Sequence, residues 1–294
     1  MALTITVDIF SGRPNPVLEV GDEEAAGLLE RMAPARLLAE DEPAPDIARL
    51  GYRGLVVEQV GDTDATTTLP RTFRLAGGTL MGRGLAHRPQ DEGVEEYLLS
   101  QAGPLRGQLD AQDEAWNVID RERLTLLPGP IVIPPIITFP FPTACTCGPI
   151  YEPGWWNAPA RQPHNNCYNY ATNYRTDTFA QPGKAAGAMY PHPISGAGVK
   201  PAALADQLVD AGGATAGTCP PDAHLVALVI WPDVDFHWYR RDKSGWWSHK
   251  PGGTPATNRD NSNKGIMNPQ NADRASYTEF VGYMIVMPGH IKIR

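Results

Sequence analysis

The sequence predicts an α+β fold built in two parts. Three observations carry that expectation: alternating apolar and polar segments interleaved with capped helical stretches before residue 127, ten prolines between residues 128 and 163, and a continuous apolar run followed by a hairpin pattern beyond residue 164. They divide the chain into an acidic α+β accessory domain at 1–127, a proline-rich connector at 128–163 and a second domain at 164–294.

In the first domain Leu3–Phe10 alternates like a strand, and Ser11-Gly12-Arg13-Pro14-Asn15-Pro16 is a strong turn signal. Asp22 is expected to cap a helix reaching about Leu38, with Glu23 and Glu24 complementing the helix dipole and Pro34 kinking or ending it. Tyr52–Val60 and Thr67–Leu75 read as strands and Asp91–Gln101 as a helix. His87, the one histidine here, is placed in an exposed loop, and no reactive constellation is expected in this part. Proline fixes φ and donates no hydrogen bond, so the connector should be extended, anchored by Phe139, Phe141, Trp155 and Trp156.

In the second domain Asn166–Tyr174 reads as a short helix beginning at Cys167, and Lys200–Asp210 as another ended by Gly212 and Gly213. His224–Ile230 has the unbroken apolar character of a buried strand. Val234–Arg241 and Trp246–Lys250 form a hairpin turned at Asp242-Lys243-Ser244-Gly245, and Phe280–Met287 is a final strand.

Composition, with 42% hydrophobic and 20% charged residues in 294, is that of a globular protein. The net charge of −8 is uneven: residues 1–127 hold 22 Asp and Glu against 12 Arg and no Lys, and the remainder holds 11 acidic and 13 basic residues. Phosphate neutralisation needs clustered cations, so nucleic acid is excluded as a partner. The acidic surface either keeps the first domain soluble or docks it on the mildly basic second one. The start of the chain alternates like a strand and lacks a basic leader region, and the greasiest stretch, Ile131–Phe141, is broken by three prolines. No membrane partner is expected, and the expected location is cytoplasmic, with signal-independent export left open. Four cysteines without a secretory signal imply reduced thiols. The gap in Cys145-Thr-Cys147 is too short for a usual zinc pair, and Asp260-Asn-Ser-Asn263-Lys-Gly265 lacks the acidic ligands of a calcium loop, so neither metal nor other cofactor is expected.

The reactive side chains concentrate in the second domain, where a cysteine opening a helix and histidines on a later hairpin have the layout of a thiol hydrolase. A helix N-terminus and a nearby imidazole lower a thiol's pKa. Hairpin register decides whether the histidines cooperate. A three-residue loop at Lys243-Ser244-Gly245, with Gly245 left-handed, sets Tyr239 opposite His249 and brings His237 diagonally beside it. His237 is then the expected base and His249 its orienter, unless a nearby Asn or Asp takes that part. Trp231, Trp238, Trp246 and Trp247 offer an aromatic groove, and Arg240, Arg241, Lys243 and Lys250 a basic rim for a substrate carboxylate; core packing and solvation are the competing fates.

The run Asn165-Asn166-Cys167-Tyr168-Asn169-Tyr170-Ala171, with a histidine strand and a polar residue on the next strand, resembles the papain-like superfamily, nearest its NlpC/P60 and CHAP branch. The resemblance covers about residues 150–290. It implies a cysteine-bearing helix packed on an antiparallel sheet, with nucleophile Cys167, base His237 and orienter His249. The main-chain N–H of Cys167, with Gln162 as approximate counterpart of the oxyanion glutamine, would stabilise the oxyanion. One departure is Asn166, where many NlpC/P60 enzymes carry Asp. The activity implied is cysteine-dependent hydrolysis of a peptide or amide bond in a peptide or protein, with Trp238, Trp247, Arg240 and Lys250 holding the substrate. Transglutaminase-like acyl transfer and a non-catalytic peptide-binding module are the rivals.

Overall fold

The computed structural model describes residues 2–39, 42–61, 68–82, 85–100, 105, 116, 119 and 142–294. It is α+β, with two antiparallel sheets in two compact units. Unit 1 comprises Met1–Ile9, Asn15–Ile47 and Gly51–Ile133, and unit 2 comprises Phe10–Pro14, Ala48–Leu50 and Pro134–Arg294. The turn Phe10–Pro14 therefore counts with the second unit, although its flanks on both sides count with the first.

Unit 1 holds β1 (Ala2–Val7), β2 (Val17–Val20), α1 (Asp22–Arg31), β3 (Pro34–Leu37), β4 (Leu55–Val60), β5 (Thr72–Ala76), β6 (Thr79–Gly82), β7 (Leu85–Pro89) and α2 (Val94–Leu99). Its sheet runs β2-β1-β4-β5-β6-β7-β3. Alternation in β1 buries Leu3, Ile5 and Val7 on one face. The first helix is shorter than its sequence suggests. Gly21 stands at the cap, Asp22 lies in the first turn, and Pro34 disfavours helix in the residue before it and opens a strand paired with β7. His87 lies in β7 and not in a loop. Burial pushes the Asp8 carboxyl up, but Arg53 and Arg74 beside it outweigh that and hold it at about 2.

Unit 2 holds α3 (Pro153–Trp156), a 3-10 turn at Gln162–His164, α4 (Cys167–Ala171), α5 (Gly196–Ala205), β8 (Val209–Asp210), β9 (His224–Trp231), β10 (Asp235–Arg241), β11 (Trp247–His249) and β12 (Glu279–Val286). The sheet order is β11-β10-β9-β12-β8. Every residue of β9 is buried, as its unbroken apolar run requires. Helix α5 starts earlier than expected and stops at Ala205, because Gln207 takes a left-handed φ of 75°. The core beneath the sheet joins Cys167, Tyr168 and Ala171 of α4 to Val226, Leu228 and Ile230 of β9 and to Phe236 and Trp238 of β10.

Residues 142–163 are structured: Cys145 N–H donates to Lys243 O, Lys243 N–H donates to Pro149 O, and Trp156 is buried with its ring 5.4 Å from Tyr170. Trp155 is half exposed, and Phe139 and Phe141 lie outside the described residues. Cys145 is joined to Cys219 in a disulfide, which corrects the expectation of reduced thiols; Cys147 and Cys167 are free. No helix among the described residues is long and apolar enough to cross a membrane.

Candidate functional site

Helix α4 begins where Asn166 caps it. The Asn166 Oδ1 accepts from the N–H groups of Tyr168 and Asn169, both at 3.1 Å, and Asn169 Oδ1 accepts from Asn166 N–H at 3.2 Å. This reciprocal box consumes donors that a thiolate would have used, and the helix is only five residues long. Cys167 itself is fully buried among Tyr168, Phe236 and Trp238. Burial and then the charge of Asp235 push its thiol up to about 12, against the opposing pull of Trp238 N–H and Lys250. At neutral pH roughly one molecule in 100,000 then carries a thiolate.

The hairpin register is the expected one, with Tyr239 opposite His249 and Arg241 opposite Trp247. Gly245 makes it so: its φ is 89°, and a Cβ there would lie 2.3 Å from the Thr143 carbonyl oxygen. His237 Nε2 lies 2.9 Å from His249 Nδ1, and His249 Nε2 lies 2.9 Å from the Arg259 carbonyl oxygen. A carbonyl only accepts, which assigns the His249 proton to Nε2 and leaves Nδ1 to accept from His237 Nε2–H. The remaining His237 nitrogen, Nδ1, is met at 2.5 Å by Ser11 Oγ, whose hydroxyl donates to it. The nitrogen expected to take the proton of Cys167 is thus bonded to a serine from the other end of the sequence.

Ser11 belongs to a strap, Phe10–Pro14, that the sequence presents only as a turn. Its consecutive N–H groups at Ser11, Gly12 and Arg13 donate to the buried Asp235 carboxylate at 2.6, 3.2 and 3.0 Å, and Tyr277 Oη–H donates to the same group at 2.5 Å. Burial raises the Asp235 pKa against these four donors. The Gly12 carbonyl accepts from Asn166 Nδ2 at 2.7 Å and Gln181 Nε2 at 2.9 Å, and Gly252 N–H donates to Ser11 Oγ at 3.2 Å. No reactive constellation is expected within residues 1–127, yet Ser11 from that part of the sequence joins His237 and Asp235 through these bonds.

The expected substrate surface is interior. Trp238 packs 5.3 Å from Tyr168 in the core, and Trp247 is covered, its indole N–H donating to Ala216 O. Lys250 is fully buried, its three ammonium donors spent on the carbonyls of Gln162, Asn165 and Gly252 at 2.6, 2.5 and 2.7 Å. Arg240, also buried, pairs with Asp242 at 2.9 Å and lies 4.1 Å over the Tyr170 ring. Arg241 donates to the carbonyls of Thr218 and Thr143. None of these five faces solvent, so a groove with a basic rim is not formed by them. Gln162 holds Lys250 through its carbonyl and donates its amide to Gly253 O at 3.3 Å. Cys145, being disulfide-bonded, is no metal ligand. The Asp260 carboxylate accepts from the N–H groups of Ser262, Lys264 and Asp273, which makes that segment a self-satisfied polar turn.

No family model and no solved structure matches the chain. The chain is 47% identical over 146 residues to insoluble matrix shell protein 1 of Ruditapes philippinarum, an alignment that covers 95% of that protein and 49% of this chain. A relative named for an insoluble shell matrix overturns the expected cysteine peptidase or amidase, its acyl-transfer rival and the cytoplasmic location. The buried, protonated thiol gives the physical reason on the chemical side, and the disulfide gives it on the side of location, since disulfides persist in oxidising compartments.

Proposed function

Since the chain belongs to the family of insoluble matrix shell protein 1, we propose that it is a secreted structural component of an extracellular matrix, working by assembly and not by turnover. The observation that carries this reading is the 47% identity extending over 95% of that relative. The Cys145–Cys219 disulfide supports it, because such a bond is at home outside the cell. The partners we propose are other insoluble matrix components, including further copies of this chain.

We also infer that unit 2 is a papain-like scaffold put to structural use. What supports this is the cysteine at the start of α4, the packing of that helix on β10, and His237 and His249 on neighbouring strands. The experiment is co-sedimentation: the chain, secreted and oxidised, is mixed with insoluble shell matrix and washed. Retention in the pellet, exceeding that of a charge-matched control protein, is the expected result. A chain that stays in the supernatant throughout would sink the matrix reading.

A further inference from the structure

The strap is bound the way a ligand is bound. Ser11, Gly12 and Arg13 present three consecutive N–H groups to one buried carboxylate, the Gly12 carbonyl takes two side-chain amides, and the Ser11 hydroxyl meets both an imidazole and a backbone N–H. Gly12 is required sterically, since a Cβ there would stand 2.5 Å from both the Phe236 ring and the Phe236 carbonyl oxygen. Phe10 is buried with its ring 6.2 Å from Trp231. Recognition therefore falls on five consecutive residues, chiefly through backbone groups, while both flanks of the segment count with unit 1. A site of this kind does not distinguish which copy of the chain supplies the five residues.

We propose that unit 2 carries a recognition site for the segment Phe10–Pro14 that accepts it from a second copy as well as from its own chain, linking copies head to tail. Exchange of an identical element makes the same contacts in the linked as in the closed form, so its equilibrium is set by concentration and chain geometry. Non-reciprocal exchange leaves one strap and one site open at the ends, and where the rotation between copies does not close a ring it extends as an open chain, a form suited to an insoluble matrix component. This deepens the matrix reading and rests on it.

The test uses two full-length variants. Gly12→Val spoils the strap and leaves the site; Asp235→Asn spoils the site and leaves the strap. Light scattering should show wild-type assemblies that grow with concentration, monomers for each variant alone, and a one-to-one complex when the variants are mixed. A mixture of folded variants that stays monomeric overturns the proposal, as does a Gly12→Val chain that assembles like wild type. Should Gly12→Val fail to fold, excess synthetic peptide of residues 10–14 is added to wild type. A drop of at least tenfold in assembled mass, absent with the peptide bearing Val for Gly12, supports the proposal. Assemblies indifferent to both peptides overturn it while leaving the matrix reading, which stands or falls on the pellet experiment.

Discussion

The inertness of Cys167 gives the sharpest check on the structure. In a Cys147→Ser chain with the disulfide intact, Cys167 is the one free thiol. Its pKa of about 12 stands three units above the ordinary 9.0. At pH 8 the thiolate fraction is then about one in ten thousand in place of about one in ten, so ionisation alone slows alkylation about a thousandfold. Full burial slows it further, because an iodoacetamide-sized reagent has no path without local opening. Mass spectrometry after timed alkylation reads the rate, with complete labelling in denaturant as the control. The rate should keep rising tenfold per pH unit past pH 9, where an ordinary thiol levels off. Labelling within tenfold of a free cysteine, or a plateau at neutral pH, would refute the account of a sealed, protonated thiol and revive the ion-paired alternative.

Three further outcomes follow from buried groups. His224 donates from one ring nitrogen to Ala171 O at 2.8 Å while its Nδ1 has no hydrogen-bond partner, and burial lowers its pKa from 6.5 to about 4. The unfolded chain takes up this proton first, so stability is intact above pH 6.5 and falls by roughly 3 kcal/mol as pH drops to about 4. Asp206, raised to about 6 by burial, works in the opposite sense, so the readout is the difference between wild type and His224→Gln in urea midpoints at the two pH values. Breaking the Cys145–Cys219 bond, which closes a separation of 74 residues, should cost about 4 kcal/mol, read from melting with and without reductant. Lys250→Met strands three carbonyls and should destabilise by on the order of 3 kcal/mol in urea denaturation; an exposed, substrate-binding lysine would leave stability unchanged.

Local chemistry was legible in the sequence, and long-range chemistry was not. The register of the β10–β11 hairpin follows from a glycine at the one loop position that needs positive φ, and with it the meeting of His237 and His249. The start of α4 follows from Asn166. Ser11 and Asp235 could not be foreseen as partners of the cluster, because the contacts span 226 residues to His237 and 224 residues from Ser11 to Asp235. Their only local trace is a glycine-containing turn, a signal shared with countless solvent loops. Exposure was misjudged at Arg240 and Lys250 for a related reason. Cations are rarely buried, and burial becomes tolerable only when distant carbonyls or a carboxylate meet every donor.

That distinction bears on how a cysteine–histidine layout can serve the matrix role proposed for this chain. Nucleophilic catalysis needs an open volume beside the sulfur, a base with a free nitrogen and a donor waiting for charge that develops later. Here Ser11 holds the nitrogen of His237, Asn166 spends its carbonyl on the first N–H groups of α4, and the carboxylate of Asp235 is met by the strap. These three groups, which could have waited for a substrate, are already bonded to the chain. A buried network satisfied in this manner favours one arrangement over its neighbours, because leaving any member unpaired costs more than pairing it gains. The same accounting explains why the strap should be selective: a segment lacking the glycine or the serine abandons buried partners that no water can reach. In an assembly held by strap exchange, that selectivity would decide which chains join, so the chemistry that once suggested turnover becomes the chemistry of attachment.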